Sequence, residues 1–600
     1  MRTLLISIWV LAQAGVVLAE AQVRVDAVEY KGDNSVYFKV LEKVRRAPLS
    51  DRGVMETRLL LLLDTWKDDI AVVDTVCDAL RVVASEASIP EMTSMLLDDA
   101  KAVHALQVLQ AIDSQKTDAA LREALSEVSP SMRIAIVTTL GFRRDPLAVD
   151  SIAVVLAESR DADLRSAGLH ALGRIGTVDA LRILDELDMS PDELRVRDQA
   201  LLECAYALLE AGSGDAAQST LVELSERGST PAVRTGALRG LLLSDPERAI
   251  EPLREALADT NLTLSIGAAM VSRVASDPGV TRVLTNALAS APPPLQAAII
   301  GALADRRDST AGPAILAQLR SENDAVREQA VYATEWIEDP DLLEPLLALA
   351  RDGSATRDAA RFVLGRKPSE EITAGLKARL NEQGADIALL VDLLDLRNAP
   401  LDLSQLMAIA ERGDPEMRSA LGVMSRRAGT NDVSALLDWM DRVPAEDRTR
   451  IAGVILDATQ DVRNPVTRFA FVFGEADRLA DATRADLIAI APRIGGTAAL
   501  SALEEAAAGN NDVAQDAALR ALCKWSTPDA MAPLNRVLAG AKDERQRILI
   551  YRSLVSLIRE HVEIPQQQII ALKRLSDNAQ RPSEEAVIDT ALEAMGGSPP

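Results

Sequence analysis

An arginine recurs along this chain at near-constant spacing, and that period constrains the fold more than any other feature. It stands at Arg133, Arg165, Arg197, Arg234, Arg327, Arg357, Arg418, Arg450, Arg484 and Arg547. Gln296 and Gln515 hold the same place in two weaker copies, and Ser265 and Ile387 fill the two remaining gaps. Successive intervals run from 30 to 37 residues and most are 31 or 32. Seven residues after the marker comes an apolar or small residue: Leu140, Leu172, Cys204, Leu241, Leu303, Leu364 and Leu522. The following position is often Gly or Ala, as at Gly141, Gly173, Ala205, Ala304 and Gly365. A period of this length is that of one helical pair, which can bury its apolar face only against neighbouring copies.

The clearest copy, residues 161–187, shows the grammar. Leu164, Ala167, Leu169, Ala171 and Leu172 are the apolar positions of a first helix, expected to end at Gly173. Thr177 is placed to cap a second helix carrying Val178, Ala180, Leu181, Ile183, Leu184 and Leu187. A small residue eight places after the marker is expected to end the first helix and let the chain turn. Second helices open on Asp145-Pro146, Asp245-Pro246, Asp277-Pro278, Asp339-Pro340 and Thr527-Pro528. First helices are announced by Ser129-Pro130, Ser190-Pro191, Thr230-Pro231 and Asp414-Pro415. A capping side chain satisfies free amides, and proline suits the first helical position because no donor is needed there.

This punctuation resembles the HEAT-repeat family, in the short bacterial variety called PBS-lyase HEAT-like. The resemblance is carried by Asp163-Leu164-Arg165 with Leu172-Gly173, by Asp324-Ala325-Val326-Arg327, by Ala232-Val233-Arg234, and by Arg357 with Leu364-Gly365. It extends over about residues 60–560. It implies an all-α superhelix, an armadillo/HEAT-type solenoid of helical-hairpin repeats of about 31 residues, and says little about function, because such arrays serve unrelated roles. Deoxyhypusine hydroxylase is a HEAT-repeat enzyme whose iron is held by paired His-Glu motifs. This chain has no His-Glu dipeptide, and that reading falls.

Around the solenoid, assigned to residues 36–595, the sequence places three other segments. Residues 1–21 read as a signal peptide, with Arg2, an apolar run from Leu4 to Leu18, and small residues at Ala19 and Ala21 where cleavage is expected. Residues 22–35 form an irregular lead without helical period, and residues 596–600 a short tail. Export to a periplasm or the outside follows as an expectation, with no stable membrane insertion after cleavage. The formal net charge of −25 argues against nucleic acid, since phosphate binding needs clustered cations. Cys77, Cys204 and Cys523 lie too far apart in a solenoid to pair, and each falls in an apolar helical pattern. They read as structural thiols.

No catalytic, metal or cofactor set is visible. The histidines His104, His170 and His561 are scattered, and no CxxC, HExxH, GxSxG or phosphate-loop motif occurs. Acidic neighbours such as Asp161 with Asp163, or Glu370 with Glu371, are expected to serve helix N-termini. Two features stand out as candidate partner-binding residues. Basic residues recur where the first helix gives way to the second, at Arg143-Arg144, Arg174, Arg306-Arg307, Arg366-Lys367, Arg426-Arg427 and Arg493. Stacked in register they form an interrupted cationic ridge, for which cations at helix C-termini are already a sufficient structural reason. Phe469, Phe471 and Phe473 are half of the chain's 6 phenylalanines, within an irregular stretch at residues 460–480. On a helix Phe469 and Phe473 share a face and Phe471 points elsewhere.

The function expected from sequence is therefore a non-enzymatic, exported scaffold, binding a protein or peptide along a concave surface lined by second helices. Two alternatives stay open: a structural envelope protein, and a phycobilin-lyase-like enzyme suggested only by the repeat's name.

Overall fold

A computed structural model describes residues 44–595 except 47, 352, 354 and 510. The expected signal segment, the lead at 22–35 and the tail at 596–600 lie outside the described residues. Among the described residues every regular element is helical and no strand occurs. The chain divides into two compact units, Met1–Ala314 and Ile315–Pro600.

Each unit is a stack of helical pairs in which first helices pack on the first helices of the next pair. In the N-terminal unit these are Ile70–Val83, Ala102–Ala111, Pro130–Phe142, Ala162–Ile175, Leu194–Glu210, Pro231–Ser244, Leu262–Val271 and Pro293–Arg306. In the C-terminal unit they run Asp324–Ala333, Thr356–Arg366, Ile387–Leu396, Glu416–Arg427, Ala445–Ala458, Asp481–Ile488, Asp512–Cys523, Glu544–His561 and Pro582–Glu593. Ser265 and Ile387, which broke the arginine pattern, sit in well-formed first helices, so the fold tolerates loss of the marker.

The lead copy forms as its residues dictate, with one correction. Asp161 accepts from the amides of Asp163 and Leu164 at 2.9 and 3.1 Å, which starts the first helix. Leu169, Leu172 and Leu184 are fully buried between the two helices and their neighbours. The first helix does not end at Gly173. It continues to Ile175 and stops at Gly176, whose φ of 67° is the left-handed conformation that favours glycine. Thr177 then caps the second helix through the amide of Ala180 at 3.1 Å.

Gly173 has another role. A Cβ there would lie 2.8 Å from the Ala200 carbonyl oxygen and 3.0 Å from its Cα. One at Gly141 would lie 2.6 Å from the Ala171 Cα. Gly141, Ala205, Ala304 and Gly365 likewise fall inside their helices. The recurrent small residue thus sets how closely successive first helices approach, rather than where the chain turns.

The proline punctuation holds where the capping side chain reaches an amide. Asp145, Asp245, Asp277 and Asp339 all cap the element that follows, as does Thr230. Four pairs depart from it. Ser129 makes no cap bond, and Thr527 instead accepts from the Trp525 indole at 2.8 Å. Ser190 bonds Glu193 in a turn, and the helix begins only at Leu194. Asp414 precedes a cis proline, and its carboxylate faces Arg450 instead of a helix N-terminus. In each, a competing side-chain partner or a different turn displaces the cap.

Candidate functional site

Two ladders of cations run through the repeats, and most of their members are bonded within the fold, Arg418 being an exposed exception. The first is the marker arginine. Arg165 donates to the Leu156 carbonyl at 2.6 Å in the preceding second helix and to Glu193 in the following repeat. Arg234 reaches the Ser225 carbonyl at 3.0 Å and Asp259 at 3.0 Å; Arg547 reaches the Leu538 carbonyl at 2.9 Å and Glu584 at 2.6 Å. Gln296 and Gln515 keep the backward half of the bond, to the carbonyls of Leu288 at 3.2 Å and Ala507 at 3.1 Å. Arg357 does not take part. It is exposed beside Asp358, and Arg361, one helical turn later, bonds the Ala350 carbonyl at 3.1 Å instead.

The Arg165 guanidinium, bonded to Glu193, pulls that carboxyl down to about 2. A group held below its unfolded value stabilises the fold above that unfolded value, and the contribution fades as pH falls toward 2. Arg165→Met is expected to raise Glu193 toward the ordinary range near 4.3, the bonds from Ser190 remaining, read as its carboxyl titration by 13C NMR.

The second ladder is the basic turn. Each paired arginine splits into one side chain turned inward and one outward. Arg143 bonds Asp118 and the Ser114 carbonyl, the latter at 3.2 Å. Arg306 bonds the carbonyls of Ser272 at 2.9 Å and Asp277 at 2.7 Å, and burial lowers its pKa from the ordinary value. Arg427 bonds the Asp395 carbonyl at 3.0 Å. Arg397 and Lys367 do the same work, reaching the carbonyls of Leu364 at 2.6 Å and Glu335 at 2.9 Å. These inward cations bond carbonyls of the preceding repeat, either at the C-terminal end of its first helix (Ser272, Glu335, Leu364, Asp395) or at the N-cap of its second (Ser114, Asp277). Their partners Arg144, Arg307 and Arg426 are exposed; Arg144 and Arg307 sit at φ of 52°, and Arg426 is bonded to Asp395.

The phenylalanine cluster divides as its spacing implies. In the helix Pro465–Phe473, the rings of Phe469 and Phe473 stack with centroids 4.5 Å apart and pack against the apolar core beneath. Phe471 alone faces solvent. This helix is a second helix of its pair, and a short 3-10 turn, Ala476–Arg478, takes up the longer spacing before Asp481–Ile488.

A larger aromatic surface lies elsewhere. Tyr332 and Phe362 stand on adjacent first helices with rings edge to face, centroids 6.1 Å apart. The Arg366 guanidinium lies 4.9 Å from the Phe362 centroid, and Leu396 on the next first helix is 60% exposed. Tyr332 and Phe362 each come five residues after their marker, at Arg327 and Arg357, so their alignment was present in the sequence. The two rings form an outward aromatic ridge across two helices, with Leu396 on the third, in a chain only 3% aromatic. Large exposed aromatics cost solvation unless something covers them.

The three cysteines and two of the histidines are in structural settings. Burial pushes the thiols of Cys77, Cys204 and Cys523 up to about 12, which keeps them protonated and unreactive. His104 lies 3.2 Å from Asp74, and His561 bonds the Ser526 carbonyl at 2.7 Å. Among the described residues no group of three or more His, Cys, Asp or Glu is arranged to hold a metal ion, and no helix is long and apolar enough to cross a membrane.

Comparison with known proteins agrees with the repeat reading. Residues 119–205 and 281–365 match the family of HEAT repeats. No curated protein matches the chain. Among solved structures, yeast importin-beta (Kap95p) is 12% identical over 94% of this chain and 91% of its own, with a TM-score of 0.34. Kap95p with RanGDP is 12% identical over 94% of each chain, with a TM-score of 0.40. Human deoxyhypusine hydroxylase is 22% identical over 42% of this chain and 96% of its own, with a TM-score of 0.20. Likeness at these levels does not bear on activity or partners. Residues 119–205 and 281–365 are thus HEAT repeats, and the helical pairs on either side continue the same architecture.

Proposed function

We infer that the chain is an exported, non-enzymatic scaffold that binds a protein or peptide partner on its helical surface. The single observation that carries this reading is the outward ridge of Tyr332, Phe362 and Leu396 with Arg366 beside it. Rigid aromatics and an arginine on an otherwise aromatic-poor surface are the composition of an interface centre. The ridge belongs to first helices, which shifts the proposed binding surface away from the second helices. Export rests on the apolar run from Leu4 to Leu18 and the small residues after it.

The test is chemical cross-linking of the exported protein in its own compartment, comparing wild type with a Tyr332→Ala, Phe362→Ala double variant. A stoichiometric partner captured by wild type, and reduced at least tenfold in the variant with unchanged thermal unfolding, is expected. Self-assembly without a partner in both would overturn the scaffold reading and favour a structural envelope role.

A further inference from the structure

We propose that the groove between Glu416–Arg427 and Ala445–Ala458 binds an extended peptide bearing an acidic and a basic side chain about three residues apart. The proposal rests on the scaffold reading and names the chemistry of a partner segment.

The groove holds about 330 Å³ and lies open to solvent between two adjacent first helices. Its central opening is made by two glycines, Gly422 and Gly453. They differ from the glycines that set helix approach. A Cβ at Gly141 or Gly173 would strike backbone of the next helix, whereas a Cβ at Gly453 would meet nothing within 4 Å. One at Gly422 would meet only the guanidinium of Arg426, at 3.6 Å. Glycine inside a helix costs roughly 0.8–1 kcal/mol relative to alanine. At Gly141 and Gly173 close packing offsets that cost, and at Gly422 and Gly453 no packing does. Two such residues facing each other across one groove have empty space as their common consequence.

The groove walls supply polarity at both ends. Near the N-terminal ends of the helices stand Arg418, 79% exposed, and Arg450, half exposed. Asp414 lies 3.9 Å from one guanidinium and 3.3 Å from the other, and Asp447 lies 3.8 Å from Arg450. Each guanidinium has five donors, so these contacts leave several directed to solvent. Two turns further on, Asp457 and Ser425 line the opposite end. Seven residues of helix place that end about 10 Å from the arginines. Leu421 and Val454 form an apolar stretch between.

A carboxylate at the arginines and an ammonium at Asp457 therefore need a spacing of about 10 Å on one face. A polyproline-type backbone repeats every three residues with about 3.1 Å rise, which puts residues i and i+3 on one face about 9 Å apart. Such a segment fits in either chain direction, since only its charge order matters.

The probe is a fluorescein-labelled Glu-Pro-Pro-Lys peptide with blocked termini, titrated against the full chain by fluorescence anisotropy, with Glu-Pro-Pro-Glu and Lys-Pro-Pro-Lys as comparisons. A site this small predicts a Kd in the range of about 10 μM to 1 mM. Non-specific attraction to a body of net charge −25 would rank Lys-Pro-Pro-Lys first. The groove predicts Glu-Pro-Pro-Lys first, by at least tenfold. Gly453→Leu fills the opening where space is free, and is expected to weaken binding at least tenfold without lowering thermal stability. Arg418→Glu is expected to reverse the order in favour of Lys-Pro-Pro-Lys. Ranking by net charge alone, or full binding by Gly453→Leu, overturns the proposal. Absence of any partner cross-link to wild type with the peptide ranking intact would overturn the scaffold reading and leave the groove standing, and a wild-type cross-link with a failed peptide ranking would leave only the scaffold.

Discussion

Glu584→Ala is expected to loosen the C-terminal repeats by about 3–5 kcal/mol, the cost of leaving one charge of a buried ion pair unpartnered. Arg547 and Glu584 are 2% and 0% exposed, joined at 2.6 and 3.0 Å. Arg547 also holds the Leu538 carbonyl at 2.9 Å, while Glu584 accepts from the amide of Gln580 at 2.8 Å. The pair thus ties Glu544–His561 to Pro582–Glu593 and to the helix before them. In a repeat array stability is a local sum, so the effect should appear as local opening. Hydrogen exchange is expected to quicken by about two to three and a half orders of magnitude in those two helices, at roughly 1.4 kcal/mol per tenfold, with helices of the N-terminal unit unchanged. Arg547→Met with Glu584→Leu should recover most of the protection, because paired apolar replacements avoid the stranded charge. Equal exchange in wild type and Glu584→Ala would show that the pair holds nothing.

The same pair sets an acid limit. Its bond to Arg547 holds Glu584 below its ordinary value. The stabilisation is complete above the unfolded value, near 4.3, and is lost as pH falls through the lower folded value. Acid should therefore open the C-terminal helices, and Glu584→Ala should remove that part of the pH dependence.

Gly141→Ala is expected to destabilise the N-terminal unit although alanine is the better helix former. Propensity alone predicts a gain of up to about 1 kcal/mol. Against it, the new methyl would sit 2.6 Å from the Ala171 Cα and 2.8 Å from its Cβ. Backbone cannot yield as a side-chain tip can, so overpacking of about 1–3 kcal/mol should prevail. The comparison is Gly453→Ala, where the methyl meets nothing and propensity should win. Thermal unfolding reads opposite signs for the two substitutions. A stabilised Gly141→Ala would mean the helices stand further apart than described.

The contrast shows what could be read beforehand. The recurrence of small residues at Gly141, Gly173 and Gly365 was plain, and so was their period. Their purpose was not, because a glycine that ends a helix and one that admits a neighbouring helix look alike in one dimension. Gly176, three residues beyond Gly173, carries the left-handed turn. The marker arginine was legible as a recurrence, the partners of its bonds to the neighbouring repeats were not, and glutamine in its place still makes the backward bond. Arg357 was placed one turn too early, since Arg361 has the reach from its helix position. The basic turns were legible as a row. Which member of each pair points inward depends on backbone at Arg144 and Arg307 that no local rule specified. The Phe469–Phe473 stack followed from helical spacing, but the ridge of Tyr332 and Phe362 needed two helices from different repeats to be set side by side.

By itself the sequence determined the repeat, its length, its helical pairs and most of its caps. Those are local: a capping aspartate finds an amide two or three residues away, and an apolar period of 3.6 selects its own face. Tertiary structure alone decided which glycines are crowded and which are open, which arginines are spent on the neighbouring repeat, and where a groove remains. These depend on distances between residues about 30 apart along the chain, and only the stacking of one helix on the next fixes them.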